Sequence, residues 1–149
     1  MKRLILLLAM LTASGCGTGA PKPVPFDAAH EPCRSCRMVG SNGRVAAQIV
    51  SDRHEPLFFD DFLCLRSFLL AASSPIDGVT YVVDHRTGEW VAAERALFSR
   101  NERITTPMSS HLLAHGSLES READRDARGG TAMSFAEVFA GVHVPGGSR

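Results

Sequence analysis

Residues 44–83 read RVAAQIVSDRHEPLFFDDFLCLRSFLLAASSPIDGVTYVV, and the spacing of their apolar side chains changes twice along this segment. Apolar runs at residues 44–50 and 55–59 stand on either side of a polar break, which is typical of a β-hairpin. Apolar side chains then recur at spacings of three and four, which predicts an amphipathic helix. A β-branched and aromatic run at residues 79–83 predicts a third strand. The segment therefore predicts a β-β-α-β unit.

The second half of the chain follows the same order with weaker patterns. Its predicted elements are a strand at residues 90–98, a shorter strand at 111–115, a charged surface helix at 117–128 and a final strand at 131–135. The chain is long enough for one small domain or two very small packed units. The predicted fold class is therefore α+β, with two small β-β-α-β units packed together.

The N-terminus has the order of a secretory signal peptide. Lys2 and Arg3 precede an apolar run that is too short to span a bilayer, and small residues then lead into Ser14-Gly15-Cys16. A small-residue stretch that ends in Cys also resembles the lipobox of bacterial lipoproteins. This resemblance implies that a lipid on Cys16 anchors the mature chain to the cell membrane or outer membrane, facing the periplasm. An ordinary cleaved signal with a spare cysteine is the alternative.

Composition and motif order divide the chain into segments. The stretch that follows Cys16 is rich in Gly and Pro, which is typical of a flexible tether. The predicted segments are a signal peptide at residues 1–15, a lipidated N-terminus and tether at 16–32, a first unit at 33–88, a second unit at 89–144 and a disordered tail at 145–149. One folded domain, residues 33–144, therefore follows the tether.

Charge and motif content exclude several classes of function. Sixteen basic residues balance sixteen acidic ones, and no cluster of Lys and Arg is long enough to follow a phosphate backbone, so no nucleic-acid partner is expected. The chain has no Ser/His/Asp order, no phosphate-binding glycine loop and no Gly-x-Ser-x-Gly elbow. These absences favour a binding protein over an enzyme.

The motif CRSCRM at residues 33–38 is the strongest chemical signal. It places the thiols of Cys33 and Cys36 and the thioether of Met38 in one short loop. Soft sulfur ligands favour copper(I), zinc or iron–sulfur clusters. A structural zinc site normally needs four nitrogen or sulfur ligands, and the chain has no second Cys-x-x-Cys to complete one. Copper(I) is satisfied by two or three donors, so the loop favours copper(I).

The sequence allows three other interpretations of this loop. Cys33 and Cys36 can form a disulfide staple in an oxidising compartment, as in a purely structural lipoprotein. They can also be the redox pair of a thiol–disulfide oxidoreductase, although such pairs usually begin a helix and this motif precedes a hairpin. Met38 alone is more often a core residue than a ligand.

Further candidate donors lie near residue 110. Pro107 stiffens a loop that presents Met108, either as an exposed sulfur donor or as a core residue between the two halves. His111 and His115 follow on the short predicted strand. They are either surface residues or additional nitrogen donors, since imidazole suits copper.

Two carboxylates and a thiol stand where the hairpin leads into the first helix. Asp60 and Asp61 are predicted to cap this helix and to complement its dipole. Cys64 lies beside the apolar stripe of the helix and is predicted to be a buried free thiol.

The motifs of this chain resemble, in order and spacing, those of the NosL lipoproteins, accessory copper chaperones for nitrous oxide reductase. The shared motifs are a lipobox Cys, Cys-x-x-Cys-x-Met, Phe-Asp-Asp before a helix, Val-Val-Asp-His-Arg-Thr-Gly-Glu-Trp and Thr-Pro-Met, and they cover nearly the whole mature chain. The resemblance implies two β-β-α-β units related to the fold of the organomercurial lyase. It also implies delivery of copper(I) to a periplasmic enzyme, with nitrous oxide reductase or its maturation complex as partner.

The resemblance also implies a ligand set. Cys36, Met38 and Met108 stand at the family's sulfur positions, and Cys33 is a fourth candidate from the same loop. Arg37 stands where the family usually has Gly. If that Gly adopts a positive φ, Arg37 is expected to be strained. Met108 is followed by Ser109, where the family again usually has Gly.

Overall fold

The computed structural model describes residues 19–39 and 42–146, which form seven strands and three α-helices. The strands are β1 (Ala47–Val50), β2 (Leu57–Phe59), β3 (Val79–Val83), β4 (Trp90–Ala92), β5 (Leu97–Arg100), β6 (Leu112–His115) and β7 (Thr131–Met133). The helices are α1 (Phe62–Ala71), α2 (Leu118–Ala123) and α3 (Phe135–Val138). None of the helices in the described ranges is long and apolar enough to cross a membrane. The predicted lipidation site, Cys16, lies outside the described residues.

The strands form two small antiparallel sheets. The first has the order β2-β1-β3-β4 and the second has the order β6-β5-β7. In the first, β1 is buried along its whole length, and Ala47 pairs with Phe59 on one side and with Val82 on the other. The α+β fold with two small units, predicted from the sequence, is confirmed.

A continuous apolar core joins the two sheets. Phe62 of α1 packs edge-to-face against Phe98 of β5, with ring centroids 5.8 Å apart, and both side chains are buried. The sheets also meet through the backbone, because His85 N donates a hydrogen bond of 2.8 Å to Ala114 O. Gly116 N then donates to the carboxylate of Asp84 at 2.7 Å. The two sheets are therefore packed and hydrogen-bonded as one body.

The single strand predicted at residues 90–98 is wrong. Trp90–Ala92 is β4 and pairs with β3, so the first sheet continues beyond residue 88. A 3₁₀ turn, Ala93–Arg95, then carries the chain into β5 of the second sheet. Glu94 and Arg95 interrupt the segment, and its first half is only half-buried in the first sheet whereas Phe98 is buried in the second.

The helix predicted at residues 117–128 is shorter than expected. It ends as α2 at Ala123, and residues 125–129 form turns. The side chain of Asn101 donates to Asp126 O at 2.6 Å and to Arg128 O at 3.3 Å, so these carbonyls are satisfied without a helix. The charged segment has almost no apolar face to stabilise further turns.

The final strand predicted at residues 131–135 is also shorter. It ends at Met133, and the chain then forms α3, which the sequence analysis missed. The helix begins with a capping box, in which Ser134 and Glu137 each accept a hydrogen bond from the other's backbone N–H. The Ser-x-x-Glu spacing was the signal available in the sequence.

The described part of the predicted tether is packed on the first sheet. The buried side chain of Gln48 accepts from Val24 N at 3.0 Å and donates to Val24 O at 3.1 Å. The hydroxyl of Tyr81 donates to Pro21 O at 2.6 Å, and Phe26 stacks on Phe58. These contacts place the described part of residues 16–32 against the first sheet.

The predicted disordered tail also begins with an anchored residue. Pro145 is buried, and its carbonyl accepts a hydrogen bond of 2.9 Å from Thr80 N. Residues 147–149 lie outside the described part of the chain.

Candidate metal centre

Four side chains from the N-terminal loop and the start of α1 form a cluster. Their ligand atoms all lie within 4.8 Å of one another, and they belong to Cys33, Cys36, Asp60 and Cys64. Cys36 is half-buried and the other three are buried. All three cysteines are free thiols. The cluster, called the thiol cluster below, thus offers three soft sulfur donors and one carboxylate.

The loop at residues 33–38 is held in a tight turn. Cys33 N donates to Met38 O and Arg37 N donates to Cys33 O, each at 2.9 Å. Arg34 N donates to Phe58 O at 2.7 Å and fastens the turn to β2. The turn requires a φ of 66° at Arg37. The strain expected there is therefore present, because side chains disfavour positive φ.

The two carboxylates before α1 have different roles. Asp61 is the N-cap, and one of its oxygens accepts from Leu63 N at 2.8 Å. Its other oxygen accepts from Met108 N at 2.9 Å, which ties the methionine loop to the start of the helix. Asp60 instead belongs to the thiol cluster. The prediction that both residues cap the helix is therefore correct for Asp61 alone.

Burial keeps the thiols of Cys36 and Cys64 protonated. Burial raises the pKa of Cys36, although the Met38 backbone N–H partly opposes it, and the thiol donates to Asp60 over 3.5 Å. Burial raises the pKa of Cys64 far above its ordinary value, and the hydrogen bond to Asp60 raises it further. A metal that binds here must therefore displace protons from these thiols.

The predicted thioether donors are both exposed to solvent. Met38 is 46% exposed and Met108 is 39% exposed, so incoming groups can reach both side chains from solvent. Their backbones are fastened next to the cluster, Met38 through Cys33 and Met108 through Asp61. Neither methionine is a core residue, so the core alternative considered for both is not what the structure shows.

The structure gives the two predicted histidines other partners. His111 Nδ1 donates to Ile104 O at 2.7 Å, and its Nε2 lies 3.5 Å from a Glu102 oxygen. His115 is fully buried and contacts Asp124, in a group of residues separate from the thiol cluster. The thiol cluster includes neither histidine.

Two members of the cluster were not predicted from the sequence. Cys64 was predicted to be an inert buried thiol and Asp60 a helix cap, but both face Cys36. The available signal was the position of Asp60 and Cys64 about one helical turn apart at the start of α1, which places them near one face. Their distance from Cys36 along the chain hid the connection.

The donor set fits a soft metal ion. Copper(I) binds thiolate and thioether sulfur and is satisfied by two or three donors. The thiol cluster supplies three thiols within reach of one another, and two exposed thioethers stand beside it. A carboxylate is a hard donor, so Asp60 fits better as a hydrogen-bond partner of the thiols than as a copper(I) ligand.

The fold and this site define a small α+β protein with a sulfur-rich cluster that is able to hold a metal ion. The NosL family model matches residues 23–142, which is most of the chain. The chain belongs to the NosL family, whose members are copper-binding accessory proteins. Searches of curated proteins and of solved structures found no match.

Proposed function

We propose that the chain is a periplasm-facing lipoprotein that carries one copper(I) ion and delivers it to a copper enzyme, the nitrous oxide reductase of denitrification. Copper is its cargo. One observation carries the proposal: three thiols lie within 4.8 Å of one another beside two exposed methionines. A family of copper-binding accessory proteins is the context in which such a cluster is expected.

Binding exchanges protons for copper. Cys36 donates its proton toward Asp60, and Cys64 also hydrogen-bonds this carboxylate. Asp60 therefore stands where it can accept a proton as a thiol becomes a thiolate ligand. Because the carboxylate is already in contact, no rearrangement of the helix is needed to remove that proton.

Release of copper depends on the different solvent exposure of its ligands. Cys33 and Cys64 are buried, whereas Cys36 is half-buried and the methionines are exposed. An acceptor's thiolate, thioether or imidazole can approach copper from the methionine side before the buried thiols let go. A low coordination number makes this stepwise exchange of ligands feasible.

We infer the location of the protein from the predicted lipid on Cys16 and the acceptor of its copper from the family resemblance. A lipid on Cys16 would hold the protein at a membrane surface, close to exported copper enzymes. The motifs of this chain resemble those of the NosL chaperones for nitrous oxide reductase. We therefore propose that enzyme, or its maturation complex, as the acceptor of the copper.

An anaerobic copper(I) titration tests this proposal. The reduced full chain, purified in detergent, competes with a chromophoric chelator, and we expect tight binding of one copper per chain. Cys36→Ser, Cys64→Ser, Met38→Ala and Met108→Ala should each weaken binding by about tenfold or more, since even indirect supports of a metal site are worth that much. Met133→Leu, which changes a methionine of β7, is the matched control and should bind as the wild type does. Failure of the wild type to compete for copper overturns the proposal.

The thiol–disulfide oxidoreductase alternative makes a different prediction. Catalytic thiols have a lowered pKa, because the thiolate is the nucleophile, whereas burial raises the pKa of Cys36. We therefore expect no turnover when the protein is incubated with a disulfide substrate and a dithiol. Turnover that Cys36→Ser abolishes would favour the oxidoreductase.

A further inference from the structure

We propose a second metal site, formed by His85, His115 and Asp124, that binds a divalent metal of intermediate hardness such as zinc(II) and clamps the two sheets together. This site is separate from the thiol cluster and does not depend on the proposed copper function. The three residues are called the histidine cluster below.

One carboxylate oxygen is shared by both imidazoles. Asp124 Oδ2 lies 2.7 Å from His85 Nδ1 and 2.9 Å from His115 Nε2. The ligand atoms of all three residues lie within 4.8 Å of one another. His115 and Asp124 are buried and His85 is half-buried, so the group is largely removed from solvent. Both ring nitrogens face Asp124 Oδ2, and a metal about 2 Å from each donor requires the three side chains to move apart by about half an ångström.

The charges around this point favour a cation. Asp124 and the neighbouring Asp84 are both buried, and no Lys or Arg of residues 19–39 and 42–146 forms an ion pair with either carboxylate. A buried negative charge is costly unless a positive partner compensates it. Asp124 accepts a hydrogen bond from Asp126 N, and a proton on an imidazole or a metal ion held by all three side chains would add the positive partner.

The donor types select a metal different from copper(I). Two imidazole nitrogens and one carboxylate oxygen suit zinc(II), nickel(II) or iron(II), whereas thiols suit copper(I). Three protein ligands leave a fourth position for water, which can enter on the side of the half-buried His85. The chain thus offers a sulfur site that prefers copper(I) and a nitrogen–oxygen site that prefers harder divalent ions.

The ligands come from both sheets. His85 follows β3 of the first sheet, His115 ends β6 of the second and Asp124 follows α2. A bound metal would add a cross-link where the sheets already share the hydrogen bond from His85 N to Ala114 O. The expected effect of the metal is greater stability of the folded chain.

One ring nitrogen of His115 limits the affinity of this site for zinc. Metal bound to His115 Nε2 leaves the ring proton on Nδ1, which is buried and has no hydrogen-bond partner within the described residues. Ligating histidines usually donate that proton to an acceptor, and loss of the acceptor costs about 10- to 100-fold in affinity. We therefore expect zinc to bind here more weakly than at a typical structural zinc site, by about that factor.

The first test is the spectrum of cobalt(II), which replaces zinc and reports its ligands. Cobalt(II) is added to the full chain in which Cys33, Cys36 and Cys64 are changed to Ala, so that it cannot bind the thiol cluster. This Cys→Ala chain should give d–d bands without thiolate charge-transfer bands, and adding His85→Gln to it should abolish them. Absence of the d–d bands in the Cys→Ala chain, or bands that persist after His85→Gln is added, would contradict the proposal.

The second test measures stability with zinc(II) and guards against variants that fold poorly. In the same Cys→Ala chain, zinc at about a hundredfold excess over its Kd should raise the Tm by about 5 °C or more. His111→Gln, the matched control from outside the cluster, should keep this rise, whereas His85→Gln and Asp124→Asn should lose it. A Tm of the Cys→Ala chain that zinc leaves unchanged would show that the three side chains are only a hydrogen-bonded group.

Discussion

Two residues beside the sulfur donors have backbone conformations that suit glycine better. Arg37 has a φ of 66° and Ser109 has a φ of 56°, and each adjoins a predicted methionine donor. Left-handed backbone costs a residue with a side chain about 1 kcal/mol or more. The donor loops therefore keep a strained shape that the surrounding hydrogen bonds impose.

Replacing Arg37 tests this strain. The Arg37→Gly variant should be more stable than Arg37→Ala by about 1 kcal/mol, because only Ala has a Cβ at positive φ. Urea unfolding of both variants measures the difference. Arg34, an exposed neighbour without positive φ, is the control, and there the Gly variant should be the less stable one. Equal stability of Arg37→Gly and Arg37→Ala would show that the turn is not strained.

The raised pKa of Cys36 predicts slow alkylation. Burial raises this pKa above the ordinary value of 9.0, so the reactive thiolate appears only at a higher pH than in an unfolded chain. At pH 8 iodoacetamide should modify Cys36 more slowly in the folded protein than in urea, and the rate should rise steeply above pH 9. Mass spectrometry of the peptide that carries Cys36 measures the rate. A folded-state rate equal to that in urea would refute the prediction.

At the scale of elements, the loop after β3 joins the two sheets through one carboxylate. Asp84 accepts hydrogen bonds from Arg86 N and Thr87 N within its own loop. It also accepts from Gly116 N and from the Ser120 hydroxyl across the junction. Burial raises the pKa of Asp84, but these donors outweigh it and hold the pKa below the ordinary value of 3.8.

The pKa shift of Asp84 sets the sign of a pH effect. A lowered pKa means that the ionised carboxylate stabilises the fold above about pH 4, and that this stabilisation is lost as the pH falls below 3.8 toward the folded-state pKa. Asp84→Asn should cost about 2–4 kcal/mol at pH 7, since hydrogen bonds to a charged acceptor are the stronger kind. Urea unfolding at pH 7 and pH 3 should show a smaller loss on acidification in the variant. An equal loss in both proteins would contradict the role of Asp84.

Gln48 anchors the N-terminal segment to the first sheet. Its amide makes both hydrogen bonds to Val24, as a neighbouring strand would. Gln48→Ala should therefore release residues 19–26 and make that segment the first site of limited proteolysis. Tyr81→Phe, which removes only the hydrogen bond to Pro21 O, is the milder comparison. If the cleavage rate of Gln48→Ala equals that of the wild type, other contacts hold the segment.

At the scale of the whole molecule, aromatic packing makes the two sheets one folding unit. Phe98 of β5 contacts Phe62 of α1 and Phe139, and all three are buried in one core. The thiol cluster at the start of α1 therefore depends on packing from the second sheet. The main core cluster contains buried residues of both sheets, so each sheet covers apolar surface of the other.

Truncation of the Phe98 side chain tests whether the two sheets unfold as one unit. Phe98→Ala should cost about 3–5 kcal/mol, and Phe98→Leu should cost less because it keeps more of the buried volume. Circular dichroism and the fluorescence of Trp90, which lies in the first sheet, should report one coincident transition in both variants. A variant in which Trp90 fluorescence stays native while part of the helical signal is lost would show two independent units.

Only some of the donors of the candidate metal site could be predicted from the sequence. Cys33 and Cys36 lie in one short motif, so their proximity is local and the motif indicated it. Asp60 and Cys64 reach the same point only because β2 leads into α1 beside the turn that Arg34 N fastens to Phe58 O. The predicted ligand His115 faces Asp124 instead, because β6 carries it to the junction of the sheets.

The sequence by itself determined the α+β class, the first hairpin, α1 and the sulfur motif, because periodicity, capping and ligand spacing are local properties of the chain. Only the tertiary structure decided that residues 90–98 divide between two sheets and that residues 19–26 pack on the first. It also decided that Cys64 and Asp60 join the thiol cluster and that His85, His115 and Asp124 meet. These outcomes depend on contacts between residues far apart in the chain, and no local pattern specifies which distant surfaces will be buried together.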